Sequence, residues 1–264
     1  DATQAYLNSD LPEPIPVKLP DGMTIDGKEY ALANKAVYGF RQAGYWWSKL
    51  SHKNVMTAEP RFIRSLADPC FYFLFDGPLI VLMAVNVDDY FVAHNDPAWH
   101  AEFISNYCKT GTELVGEGIC KRWFGVNYDW IKDDSGKLIS VRMTQGPDIL
   151  AAIGVFGLLN ATTAPSPMDS GYDSTPVPDT PDYVRPDFEY QSAIGFLLWY
   201  SRMTRPDTLT ATCLLAQHTK RPGDRHVKAV KRIFRYMLGT HDYALVFNLD
   251  PDFNPAAINL SVMA

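Results

Sequence analysis

Between positions 70 and 93 the chain reads CFYFLFDGPLIVLMAVNVDDYFVA, and no other stretch restricts the fold as severely. Aromatic and branched apolar residues fill it, and it is broken at only two places. Asp76-Gly77-Pro78 supplies turn chemistry for the first break, and residues 86–89 mark the second. The pattern predicts three strands in a meander, with residues 79–85 buried on both faces and residues 90–93 forming the strand that follows. The second turn lacks the usual Gly or Asn-Gly and sets Asp88 beside Asp89. Adjacent carboxylates repel, which raises the pKa of one unless a cation is shared between them. A solvated Asp-Asp turn and a cation site both fit that stretch on its own.

A chain of 264 residues has room for one or two domains with a substantial core. Its 47% hydrophobic and 20% charged content places it among soluble globular proteins. No apolar stretch reaches membrane-spanning length, and no basic-then-apolar leader opens the chain. Cys70, Cys108, Cys120 and Cys213 form no C-x-x-C pair, which argues against a zinc knuckle or a disulfide framework and fits a reducing compartment. The net charge of −6 is unlike a nucleic-acid binder as a whole, so any such surface must be local. The first residue is Asp rather than Met, so a fragment, a processed product or an incomplete open reading frame is expected.

Along the chain, residues 1–30 read as a short helical or turn segment and then a Pro-rich extended stretch. Residues 31–54 read as a helix interrupted at Gly39, and residues 97–109 as another. A β-hairpin over residues 121–143 turns at Asp134-Ser135-Gly136, and a helix follows around residues 147–159. Six prolines between 165 and 186 are too many for the interior of an element, so that segment reads as an extended linker. Residues 187–240 read as all-helical.

From Arg225 to Leu238, Val227, Val230, Ile233, Phe234, Met237 and Leu238 recur at helical spacing. Arg225, Lys228, Lys231, Arg232 and Arg235 take the opposite side, with Asp224 as the expected N-cap and Gly239 as the stop. Such a face is either an ordinary solvated one or a surface that tracks phosphates in a salt-dependent way.

Five blocks, in order, resemble the copia-type LTR-retrotransposon reverse transcriptases. DATQAYLNSDLPEPIPVKLPDG is similar to the family's D-x-x-x-A-[FY]-L-N-x-x-L block, and NKAVYGFRQAGYWWSKL to K-A-L-Y-G-L-K-Q-A-P-R-x-W. The Asp88-Asp89 stretch resembles the Y-V-D-D block, and KRWFGVNYDW the F-L-G-I segment after it. The region from YQSAIGFLLWYSRMTRPD to KRIFRYMLGTHDYAL resembles the family's T-R-P-D and K-R-x-x-R-Y-x-x-G-T region.

The resemblance implies an α+β fold: a palm of antiparallel sheet and helices, then a thumb and a mostly helical connection region. On that reading residues 1–142 are palm with remnant fingers and a primer-grip-like hairpin, and residues 143–163 are thumb-like. Residues 164–186 form the linker, and residues 187–264 lead toward an RNase H domain; the upstream fingers and the RNase H domain would lie outside this chain. Asp1, Asp88 and Asp89 would be catalytic and would hold two Mg²⁺ ions, with Mn²⁺ an alternative. That implies nucleotidyl transfer from dNTPs to a primer 3′-hydroxyl.

Tyr6 matches the aromatic position beneath the incoming sugar, although a core aromatic on a helix is the competing reading. Gln42 and Asn86 would lie near the nucleotide and primer end, and Trp123 and Gly125 in the primer-gripping hairpin, with Trp123 equally readable as core. The basic face of residues 225–235 would meet nucleic acid. Expected partners are a primed RNA or DNA template, dNTPs and the rest of a Pol polyprotein (integrase and RNase H), with no membrane. The expected location is a cytoplasmic retrotransposon particle with nuclear delivery. Asn86 stands where the family has an aromatic, and Gly44 where Pro is usual. The competing function is a non-catalytic nucleic-acid- or protein-binding relic of the same fold.

Overall fold

The computed structural model describes residues 2–249, which divide into two compact units, residues 2–119 and residues 120–249. In the first unit a 3-10 turn, Ala5–Asn8, leads into a two-stranded antiparallel ribbon of β1 (Asp10–Lys18) and β2 (Tyr30–Lys35). Helix α1 (Ala43–Ala58) follows. The sheet has the order β3 (Ile63–Arg64), β4 (Phe71–Asp76), β5 (Leu79–Asn86) and β6 (Asp89–His94), and α2 (Pro97–Cys108) comes next. All neighbouring strands in it are antiparallel, so the expected meander is present.

Two expectations need correction here. Residues 31–35 belong to strand β2 rather than to the start of a helix, because Val17, Pro16 and Ile15 pair with Ala31, Leu32 and Ala33. The three prolines of β1, which cannot donate to a ladder, are tolerated in a ribbon of only two strands. The helix begins only at Ala43. The other correction concerns β5, which is fully buried on one face alone. Val81 and Met83 sit opposite Leu74 and Tyr72, and these four form the core face. Trp47, Val55 and Ala58 of α1 and Trp99, Phe103 and Tyr107 of α2 cover it. Ile80 and Leu82 stay half-buried on the other face, and Phe75 is exposed there, as an antiparallel sheet allows. Helix α2 starts where its sequence dictates: the Asp96 carboxylate accepts from the amides of Ala98 and Trp99 (2.8 and 3.2 Å), and Pro97 occupies the first turn.

The second unit opens with β7 (Arg122–Trp123), β8 (Val126–Lys132) and β9 (Leu138–Thr144), joined by β10 (Leu245–Asn248) on the far side of β9. Its helices are α3 (Gly146–Val155), α4 (Tyr190–Met203), α5 (Leu209–Ala216) and α6 (Asp224–Gly239), with a 3-10 turn at Pro206–Thr208. Ile149, Ile153, Leu197, Leu215, Val230, Ile233 and Phe234 form their common core, and Phe156 stacks on Phe234. Helix α6 presents the expected apolar stripe inward. Its N-cap is Gly223 rather than Asp224, and the Gly223 amide donates to Nδ1 of His226 at 2.9 Å. Asp224 sits in the first turn, where a carboxylate suits the helix dipole. Gly239 is the last helical residue, and Thr240 forms the cap.

Candidate functional site

The two turns of the meander are built alike. Asp76 pairs with Leu79 around Gly77-Pro78, and Asn86 pairs with Asp89 around Val87-Asp88. Both turns carry a φ of +56° at their first central residue, as type II′ hairpins do. Glycine takes that conformation freely; valine does not, and a β-branched residue there is strained. The surroundings hold the strained tip from two sides. Indole Nε1 of Trp47, on α1, donates to the Val87 carbonyl at 2.6 Å. The Ala2 amide donates to the Asp88 carbonyl at 2.8 Å, while Ala2 bridges Leu114 and the Thr3 amide donates to the Glu113 carbonyl at 3.1 Å.

Asp88 and Asp89 are half-buried, and among the described residues neither forms an ion pair with a basic side chain. Burial, then the neighbouring Asp88 and Glu117, push the Asp89 carboxyl above its ordinary pKa. This concentration of unneutralised carboxylate is the donor chemistry that hard divalent cations take. Among the described residues no set of three side chains forms a metal cluster, and the expected third member, Asp1, lies outside the described residues. Just behind the tip, Tyr90 hydroxyl lies 2.7 Å from both Ser51 Oγ and the Tyr107 hydroxyl. Burial and the nearby Tyr107 raise its pKa well above the ordinary value, so it stays protonated and fixes β6 onto α1 and α2.

Tyr6, in the 3-10 turn, packs against Tyr38 with ring centroids 4.6 Å apart. A Cβ added at Gly44 would sit 4.0 Å from its hydroxyl, so Tyr6 lies against the start of α1. Gln42 stands at the N-cap position of that helix without a side-chain capping bond and is exposed, and Asn86 is half-buried in the pair that closes the Asp88 turn. Residues that the sequence reading passed over are Trp47, Tyr90 and Glu117. Trp47 and Tyr90 lay within quoted motifs, and Glu117 did not.

Trp123 and Gly125 belong to the second unit. Trp123 pairs with Val126 around Phe124-Gly125, both of which have positive φ, as a type I′ turn requires. The Gly125 carbonyl accepts from Nε2 of Gln145, which is fully buried and whose Oε1 accepts from Thr204. Arg205, next in sequence, is buried too. It donates to both carboxylate oxygens of Asp207 (3.0 and 2.7 Å) and to the carbonyl and hydroxyl of Thr240 (2.9 and 2.7 Å). Sequence patterning gave no sign that this arginine would be interior.

The five cations of α6 are not equivalent. Lys228 is exposed, and Lys231 lies over the Phe188 ring at 5.1 Å. Arg225 pairs with Asp173 at 3.0 Å, Arg232 with Asp169 at 2.9 Å, and Arg235 donates to the Thr162 carbonyl. The Pro-rich segment therefore lies along the face that the sequence left open.

No solved structure matches the chain. The profile of the family described as reverse transcriptase (RNA-dependent DNA polymerase) matches residues 1–168, more than half of it. The retrovirus-related Pol polyprotein from transposon TNT 1-94 of Nicotiana tabacum is 26% identical over 94% of this chain and 19% of its own length. That from transposon RE1 of Arabidopsis thaliana is 29% identical over 93% of this chain and 16% of its own. A putative transposon Ty5-1 protein of Saccharomyces cerevisiae is 27% identical over 94% of this chain and 78% of its own. The chain spans less than a fifth of the two plant polyproteins. With its mixed helix and antiparallel-sheet fold and its Asp-Asp hairpin, the chain belongs to the copia-type reverse transcriptase family of RNA-directed DNA polymerases.

Proposed function

We propose that this chain is the polymerase portion of a copia-type Pol polyprotein and transfers nucleotides from dNTPs to a primer 3′-hydroxyl on an RNA or DNA template. The observation that carries the reading is the half-buried Asp88-Asp89 pair on a strained hairpin tip, tied to α1 and to residue 2. Asp88 and Asp89, with Asp1, would hold two Mg²⁺ or Mn²⁺ ions. Once bound, such ions acidify a primer hydroxyl and neutralise the charge on a triphosphate. The protein's part is placement. A tip fixed by backbone hydrogen bonds keeps the carboxylates from relaxing apart while they are unneutralised.

Tyr6 would lie beneath the deoxyribose and exclude a 2′-hydroxyl by shape, with Gln42 and Asn86 beside the nucleotide and primer. Trp123 and Gly125 would grip the primer end, and Arg225, Lys228, Lys231, Arg232 and Arg235 would meet the phosphate backbone. In this layout residues 1–142 serve as palm, 143–163 as thumb and 187–264 as connection, with integrase and RNase H as polyprotein partners in a cytoplasmic particle that delivers its product to the nucleus. Template-directed single-nucleotide extension, run with dNTP and with rNTP on the wild type and on Tyr6→Ala, tests the reading. Extension by the wild type and a raised rNTP share in the variant are expected. A template-independent signal or an unchanged sugar ratio would contradict it.

A further inference from the structure

Residues 162–180 run along α6 in the opposite direction, and each contact pairs a later strap residue with an earlier arginine. The Thr162 carbonyl accepts from Arg235. Ser166 Oγ accepts from Arg232 at 3.1 Å, and Asp169 pairs with the same guanidinium at 2.9 Å. Asp173 pairs with Arg225 at 3.0 Å, and the Thr175 carbonyl accepts a second bond from it. Asp179 and the Thr180 carbonyl hold Arg221, which also lies over the Tyr183 ring at 4.3 Å. A backbone with carboxylates at intervals, laid over a row of arginines, offers those arginines what a phosphate chain offers.

The pairs are one-sided in exposure. The Asp169, Asp173 and Asp179 side chains are 68%, 59% and 95% exposed, whereas Arg232, Arg225 and Arg221 are 20%, 41% and 26% exposed. In each pair the acid is the more exposed partner, with its carboxylate in water. Exposed pairs of this kind are weak and screened by salt. A phosphate polyanion brings more charge per unit length and gains further by releasing its own counterions.

We propose that the acidic Pro-rich strap is a built-in competitor for the row of arginines on α6 and in the turn before it, and that a nucleic-acid backbone gains that row by displacing the strap. This rests on the reading of α6 as a phosphate-binding surface. Closed, the strap neutralises Arg221, Arg225 and Arg232 and leaves Lys228 as an exposed point of first attraction. Opened, it adds the three guanidiniums to the surface and gives up the contacts that Met168 and Tyr172 make with the helical core.

The test compares three proteins in salt titrations of binding to a fluorescent primed duplex: wild type, the combined Asp169→Asn, Asp173→Asn and Asp179→Asn variant, and a charge-matched control with Glu13→Gln, Asp26→Asn and Glu29→Gln. The strap variant is expected to bind several-fold more tightly than the control at about 0.1 M salt. Its salt slope should be steeper by about two to three, one unit for each arginine released. Hydrogen exchange at residues 166–180 should also rise when duplex is added to the wild type. If strap variant and control bind alike, or the strap stays protected while duplex is bound, the strap proposal falls and the nucleic-acid reading stands. If none of the three binds duplex at any salt, the reading of α6 itself is wrong and the strap proposal falls with it.

Discussion

The indole Nε1 of Trp47 donates to the carbonyl oxygen of Val87 at 2.6 Å, a bond that reaches from the buried face of α1 to the tip of the Asp88 hairpin. It ties a core residue to the one strained position beside the carboxylates. Val87→Gly should relieve about 1–3 kcal/mol of backbone strain and return about 0.5–1 kcal/mol in chain entropy. The net gain expected in urea denaturation is about 1 kcal/mol at unchanged m, with slower nucleotide addition because the tip is freer. A loss of stability would mean that the turn carries no strain.

Trp47→Phe keeps most of the buried ring and removes the donor. The Val87 carbonyl then loses its partner in a part-buried setting, at a cost of about 1–2 kcal/mol. Activity should fall more than this cost in stability would produce through unfolding, and the comparison of denaturation midpoint with extension rate checks it.

Arg205 is 1% exposed, while its partner Asp207 is 35% exposed. Burial alone would raise the Asp207 pKa, but hydrogen bonds from Arg205 and Tyr236 outweigh it and hold the carboxyl below its ordinary value. Arg205→Met should cost about 3 kcal/mol, the low end for breaking a buried pair because Asp207 keeps some water. Adding Asp207→Asn should recover part of that loss. A fully additive double variant in chemical denaturation would rule out the coupling.

His218 and His226 stack in parallel with centroids 3.8 Å apart, and both are buried. Burial lowers the pKa of each, and Arg225 lowers both further; each strap contact, with Ser174, Thr175 or Asp173, pulls the other way. In the unfolded chain the imidazoles take protons near their ordinary pKa of 6.5, which the folded pair resists. Stability is therefore full above pH 6.5 and falls as the pH drops below it. His218→Asn removes one proton site and the repulsion on the other, so the slope between pH 6.5 and 5 should flatten in denaturation midpoints. An unchanged slope would place the acid sensitivity elsewhere.

The sequence made the meander readable because its period, turn residues and apolar content agree. It misplaced residues 31–35 because a short Ala-Leu run has no strand period of its own, and its pairing with β1 is decided by tertiary contact. The Asp88-Asp89 pair stood out as charge, but the strain at Val87 is a backbone angle that no residue letter carries. Helix α6 was legible from its amphipathic spacing. Its cover was not, since the Pro-rich segment has no periodicity to say which surface it follows. Arg205 likewise read as one letter of a motif, and its burial depends on Thr240 and Asp207, which come together only in the fold.

As the reaction centre of a template-directed polymerase, Asp88 and Asp89 would each be needed for nucleotide addition. The most direct measurement is the rate of single-dNTP addition to a primed template by the full chain in Mg²⁺, for the wild type beside Asp88→Asn and Asp89→Asn. Addition by the wild type is expected, with a fall of about 10²–10³-fold in each variant, the scale of losing one charge-stabilising group at a reacting centre, and a denaturation midpoint unchanged or raised as carboxylate repulsion is relieved. Equal rates in the three proteins would contradict that role.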